Sequence, residues 1–197
     1  MVAAILRHLR SIRRLKKDSG WIEVLLEEAM NERMHLLTFL SIRRPGPFMR
    51  AMILLGQGVM TNLLFFTYLV HPKTVHRFVG YLESEAVITY SRCIADIDEG
   101  RLEEWRTLGV PPIAKAYWKL PEKATMRQLL MAVRLDESKH REVNHTLANI
   151  NNDDPAPFTH RLEGNDGRVI VTPTGHKVAG WEREELFKPG TSRREKG

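Results

Sequence analysis

Two short strings carry the residues best able to do chemistry. Glu32-Arg33-Met34-His35 and Glu137-Ser138-Lys139-His140 are both Glu-x-x-His. On an α-helix, residues three apart stand about 60° apart around the axis, so one carboxylate and one imidazole project to the same side. Each string is therefore a two-ligand claw for a transition metal. A single claw is weak, because Glu and His are ordinary on helix surfaces. Two claws with a further helical carboxylate, Glu83, roughly midway between them form a pattern. A dinuclear site in a helix bundle takes a claw from each of two helices and one Glu from each of two more. Glu32, His35, Glu83, Glu137 and His140 are thus the expected metal ligands, five of six. Such donors suit iron or manganese, and iron is the redox-competent choice. Asn31 and Asp136, each directly before a claw Glu, can brace a ligand by hydrogen bonding, as can Asn144 one turn after His140. His145, five residues past His140, points away.

The elements that must position these residues are helical. Residues 1 to 17 place Val2, Ile5, Leu9 and Ile12 at three- and four-residue spacing, with Arg7, Arg10, Arg14 and Lys17 on other faces. After the Asp18-Ser19-Gly20 turn, a helix from Trp21 to about Arg43 carries the first claw and ends at Pro45-Gly46-Pro47. Within it Glu27 and Glu28 are expected to be solvated partners of basic residues. Residues 51 to 70 hold no charge and are long enough to span a bilayer. The claw helices on either side must reach one site, so a crossover lying with one face in lipid is expected rather than a span. Residues 74 to about 100 form the helix of Glu83, where His76 is expected to be structural. Tyr90, seven residues on, falls on the side of Glu83. Residues 101 to 120 read as a polar connection broken by Pro111-Pro112, and residues 121 to about 150 as the last bundle helix, with the second claw.

Composition excludes more than it selects. The 197 residues are 43% hydrophobic and 27% charged, which suits one globular domain with a sizeable core. The lone Cys93 cannot form an internal disulfide and reads as a packing residue. A net charge of +6 comes from basic residues gathered at the ends, not interleaved with aromatics, so nucleic acid is not an expected partner and anionic lipid is.

Residues 26 to 36 (Leu-Glu-Glu-Ala-Met-Asn-Glu-Arg-Met-His-Leu), 76 to 83 (His-Arg-Phe-Val-Gly-Tyr-Leu-Glu) and 136 to 145 (Asp-Glu-Ser-Lys-His-Arg-Glu-Val-Asn-His) resemble the alternative oxidase family. The resemblance covers about residues 1 to 158. It implies an all-α, ferritin-like di-iron carboxylate four-helix bundle with a long apolar crossover helix, associated with one face of a membrane. It also implies a ubiquinol oxidase that reduces dioxygen to water at two irons without pumping protons, on the matrix face of the mitochondrial inner membrane, and is compatible with a homodimer. Tyr90 takes the place of the family's redox-active tyrosine, and Leu82, Glu85, Ala86 and Thr89 match positions lining its quinol pocket. The family's sixth ligand, a Glu, lies upstream of the segment that matches Met1-Val2. The chain as given is accordingly expected to be poorly active, and its first bundle helix to be incomplete. Rival readings are a plastid-type quinol oxidase, a soluble iron-storage bundle, against which the uncharged stretch argues, and a truncated non-catalytic membrane-associated bundle. Residues 1 to 158 are expected to form the bundle, and residues 159 to 197 a loosely ordered tail with a short docking helix near Trp181 to Phe187.

Overall fold

A computed structural model describes residues 1–158, 169–170 and 175–188. The helices are α1 (Val2–Arg14), α2 (Trp21–Ile42), α3 (Pro47–Val70), α4 (Pro72–Asp98), α5 (Glu103–Thr107), α6 (Pro112–Trp118), α7 (Met126–Asn149) and α8 (Arg183–Leu186). Two-residue strands β1 (Val169–Ile170) and β2 (Phe187–Lys188) pair antiparallel. Apart from this strand pair, the described fold is a helical bundle, as the periodicity predicts.

Proline sets three of the helix starts, standing in the first turn of α3, α4 and α6, where its missing N–H costs no hydrogen bond. A single residue, His71, ends α3 and begins α4. The last long helix starts later than Pro121 suggests. Thr125 caps it, accepting from the Gln128 amide while the Gln128 side chain accepts from the Thr125 amide. The stretch read as a plain connection holds α5 and α6, because Pro112 opens a helix as readily as Pro111 closes one.

The main packing is α4 against α7. It is close enough that a Cβ on Gly80 would stand 2.7 Å from the His145 ring, so only glycine fits there. One core cluster gathers Trp21, Val24 and Leu25 of α2 with Leu147, Ile150, Leu186 and Phe187. Others join Leu129 and Val133 of α7 to Val110 and Ala114, and Ile94 and Ile97 of α4 to Leu130. Helix α3 lies outside this core. Tyr68 is its one buried residue, while Leu55, Val59 and Phe66 are exposed, and among the described helices it alone is long and apolar enough to cross a membrane.

Within the C-terminal stretch, residues 175–188 include α8 at the place where a short docking helix is expected. Residues 175–188 dock on α7: the Trp181 indole donates to Glu142 (2.6 Å), its amide donates to Thr146 Oγ1 (2.9 Å), and Arg183 pairs with Asp154 (2.6 Å). Leu186 and Phe187 are buried. Gly180 adopts φ 74°, and a Cβ there would overlap the α7 backbone at Thr146. Short-range composition does not show which groups the segment meets, since the docking partners lie far away in sequence. Apart from β1, the rest of residues 159 to 197 lies outside the described residues.

Candidate metal centre

Helices α2, α4 and α7 bring the expected ligands together. Ligand atoms of Glu32, Glu83, Glu137 and His140 all lie within 4.8 Å of one another. His140 Nδ1 is 3.0 Å from Glu32 and 3.8 Å from Glu137. His35 stands at the edge of this group, its Nδ1 3.3 Å from Glu137 and 3.5 Å from Glu32. Glu137 and both histidines are buried, whereas the Glu32 side chain is 47% exposed.

Carboxylates and imidazoles in this group shift one another strongly. Burial, followed by the neighbouring Glu137 and the charge of Glu32, pushes Glu83 up to about 9. Burial works to raise Glu137 as well, but the facing imidazoles of His140 and His35 and the Glu83 carboxyl outweigh it and hold Glu137 well below the usual range. Burial opposes charge on the histidines. Asp136, Glu137 and Glu32 nevertheless hold His35 up to about 11, and Glu137 and Glu32 hold His140 up to about 10. Both ring nitrogens of His35 and the Nδ1 of His140 are buried without a hydrogen bond. Buried nitrogens left unsatisfied beside crowded carboxylates fit a metal ion, which takes lone pairs and balances negative charge.

Of the residues expected to brace a ligand, Asn31 donates to Asp136 and Asn144 to Glu28, while Asp136 comes nearest to a ligand. Asp136 Oδ2 accepts from Asn31 (3.0 Å) and from the Trp118 indole (2.7 Å), and lies 3.5 Å from His35 Nε2. Trp118 also stacks on the His35 ring at 5.7 Å. Tyr117 accepts from Asn31 (3.0 Å). Sequence reasoning missed Tyr117 and Trp118, whose one available signal was an aromatic pair inside a polar stretch. It also missed Glu28, which is not simply solvated: its two carboxylate oxygens each accept from Asn144 Nδ2 at 3.1 Å. Burial, set against the charge of His140 and the Asn144 hydrogen bond, pushes Glu28 up to about 7. Asn144 Oδ1 faces His76 Nδ1 (3.1 Å), and His76 Nε2 faces the Tyr68 hydroxyl (3.3 Å). A buried polar chain thus runs from Glu28 to α3, with His76 in the structural role expected of it.

Tyr90 stacks with Phe39 at 6.2 Å. Burial, and then the charges of Glu137 and Glu32, push its hydroxyl above the ordinary range, so its proton is firmly held. Leu82, Glu85 and Thr89 are exposed along one strip of α4 beside Glu83, with Ala86 half-buried among them. His145 turns from the cluster, its ring edge-to-face with Tyr81 at 5.2 Å.

Residues 1–149 match the family model for alternative oxidase. The chain belongs to the alternative oxidase family. It is 56% identical to the mitochondrial alternative oxidase of Emericella nidulans over 191 residues, 94% of this chain and 53% of that protein. It is 54% identical to that of Venturia inaequalis over 193 residues, 95% of this chain and 53% of the other. With the mitochondrial alternative oxidase of Neurospora crassa the identity is 53% over 192 residues, 95% of this chain and 53% of the relative. The chain spans about half the length of these curated relatives.

Proposed function

We propose that the chain carries the di-iron centre of a mitochondrial ubiquinol oxidase, which reduces dioxygen to water at the matrix face of the inner membrane. The observation that carries this reading is the cluster of Glu32, Glu83, Glu137 and His140, with His35 at its edge, inside a chain of this family. Glu32, His35, Glu83, Glu137 and His140 would hold two irons, five of the six ligands in the dinuclear pattern. When bound, such a centre supplies open positions for dioxygen and the electrons to reduce it. Two quinols balance the reaction, giving four electrons and four protons for two waters.

The chain's own residues bind, orient and hold protons. Asp136, held by Asn31 and Trp118, stands 3.5 Å from His35 Nε2, where it would orient a metal-bound His35. Tyr90 holds its hydroxyl proton beside the cluster carboxylates. Leu82, Glu85, Ala86 and Thr89 form the α4 strip on which a quinol would lie, with Glu85 placed to take a hydroxyl proton.

Helix α3 supports a one-sided membrane association. Its 24 residues measure about 36 Å, enough to cross a hydrocarbon core of roughly 30 Å. Glu32 and Glu83 each lie about 15 Å along their helices from the α3 end of α2 and α4. Were α3 to cross, the two would meet beside it inside the lipid, taking exposed Arg33 and Glu85 with them. Lying flat, α3 buries its apolar surface while the bundle stays in water. The test is oxygen uptake driven by a short-chain ubiquinol in the presence of cyanide, on the iron-loaded chain and on a form extended upstream. Uptake by either form supports the reading. Silence from both iron-loaded forms overturns it.

A further inference from the structure

We propose that Ser138, His176 and Glu142 form a second reactive site, in which Ser138 is a nucleophile that takes acyl groups from small activated esters. The site is independent of the oxidase reading. Ser138 follows Glu137 by one residue and so stands about 100° further round α7, on the face that residues 175–188 cover. Its hydroxyl is 2.9 Å from His176 Nε2, and His176 Nδ1 is 2.5 Å from Glu142. Ser138 and Glu142 are one helical turn apart, so α7 presents both to the same imidazole. A hydroxyl within reach of a base that a third group orients is the arrangement of a serine hydrolase triad.

The surrounding donors fix where the protons lie. Arg141 Nη2 is 3.3 Å from His176 Nε2 and 3.2 Å from Ser138 Oγ. A guanidinium only donates, so Nε2 carries the lone pair and Nδ1 carries the proton, which it gives to Glu142. Ser138 then accepts from Arg141 and donates its own hydrogen to Nε2. Glu142 is buried and pinned: its Oε1 accepts from the Lys177 amide (3.0 Å) and the Trp181 indole (2.6 Å), which leaves Oε2 for His176. His176 itself is 41% exposed, so a reagent reaches the pair from water. In the reaction Ser138 Oγ bonds to the acyl carbon and its proton passes to Nε2. The ester C–O bond breaks and the leaving alcohol takes that proton; water then repeats the sequence to release the acid. Ser138 lies mid-helix, where the backbone amides are bonded within α7, so the oxyanion must be met by Arg141 rather than by backbone amides. With that weaker support the site suits activated esters, whose leaving groups depart easily.

The test is labelling of the full chain with a fluorophosphonate, whose phosphorus is attacked and whose fluoride leaves as the serine proton passes to the histidine. Peptide mapping by mass spectrometry is expected to place the adduct on Ser138, and p-nitrophenyl acetate to acetylate the same residue. Ser138→Ala should abolish that adduct while the helical content stays that of the parent. His176→Gly should slow labelling of Ser138 by about 100-fold, within the usual contribution of a general base. Imidazole added to this variant should restore part of the rate, which a merely structural role for His176 would not allow. No adduct on Ser138 in the parent overturns the proposal. An adduct that forms as fast in His176→Gly also overturns it, since the serine would then react without its base. Failure of imidazole to rescue a variant that keeps the parent's helical content removes His176 as the base and overturns it likewise.

Discussion

The Nδ1 of His140 stands 3.0 Å from the carboxylate of Glu32, more than a hundred residues earlier in the chain, yet has no hydrogen bond. Without a metal, an imidazole and a carboxylate so placed should turn toward each other. Ligand atoms of Glu32, Glu83, Glu137 and His140 all lie within 4.8 Å of one another, close enough for one metal ion to meet them together.

Replacement of Glu83 separates binding from folding. Glu83 is the carboxyl that burial and Glu137 keep protonated, so Glu83→Gln keeps a donor of the same shape beside Glu137. The metal-free variant is expected to melt within a few degrees of the parent while binding far less iron. A large drop in melting temperature would show instead that Glu83 acts as a charged structural partner.

Glu137 behaves differently, because it is the anion facing both buried imidazoles. Glu137→Ala removes their shared partner and is expected to destabilise the metal-free chain by about 3 kcal/mol, the cost of stranding one side of a buried pair. Denaturant unfolding measures this, and a change under about 1 kcal/mol contradicts it.

Asp136 would act on a bound metal through His35, whose Nε2 lies 3.5 Å away. Asp136→Asn and Trp118→Phe should each lower iron affinity by about 10- to 100-fold, the usual cost of losing a group that orients a ligand. Competition with a chelator gives the affinity, and parent-like values for both variants would remove Asp136 from the site.

His76 sets an acid limit on stability. Burial drives it down to about 4 from an ordinary 6.5, with Arg7 adding to the effect and the hydrogen bond to Asn144 opposing it. The unfolded chain takes up this proton below pH 6.5 and the folded chain does not until about pH 4, so stability is lost as the pH falls through that window. The loss is on the order of 3 kcal/mol, from 2.5 units at about 1.4 kcal/mol each. His76→Gln should flatten the stability profile between pH 6.5 and 4, and an unchanged slope would point to another group.

The docked segment is a stability element. Leu186 is 1% exposed against Trp21 and Leu147, so Leu186→Ala should cost about 2 to 5 kcal/mol. Thermal unfolding checks it, and a negligible shift would mean that the segment is not held in solution.

The claws and Glu83 were legible because helical spacing alone puts their ligands on one side, and repetition of the motif made chance a poor account of it. Glu28 was not, since a carboxylate one turn before Glu32 reads the same whether it meets water or Asn144, and only α7 decides that. Trp118 was hidden likewise: its contact with His35 and Asp136 depends on α6 folding back onto α2, for which residues 101 to 120 carry no period. The docking of residues 175–188 rests on Glu142, Thr146 and Asp154, all distant in sequence. Local pattern thus marks which face of a helix is chemical, but not which remote segment covers it.

The most direct measurement is iron stoichiometry of the purified, reconstituted chain beside His140→Ala and Glu32→Ala. Bound iron that falls sharply in both variants, with the helical content of the parent retained, is the predicted result. Equal iron in all three proteins would place the metal elsewhere and contradict the assignment of this cluster.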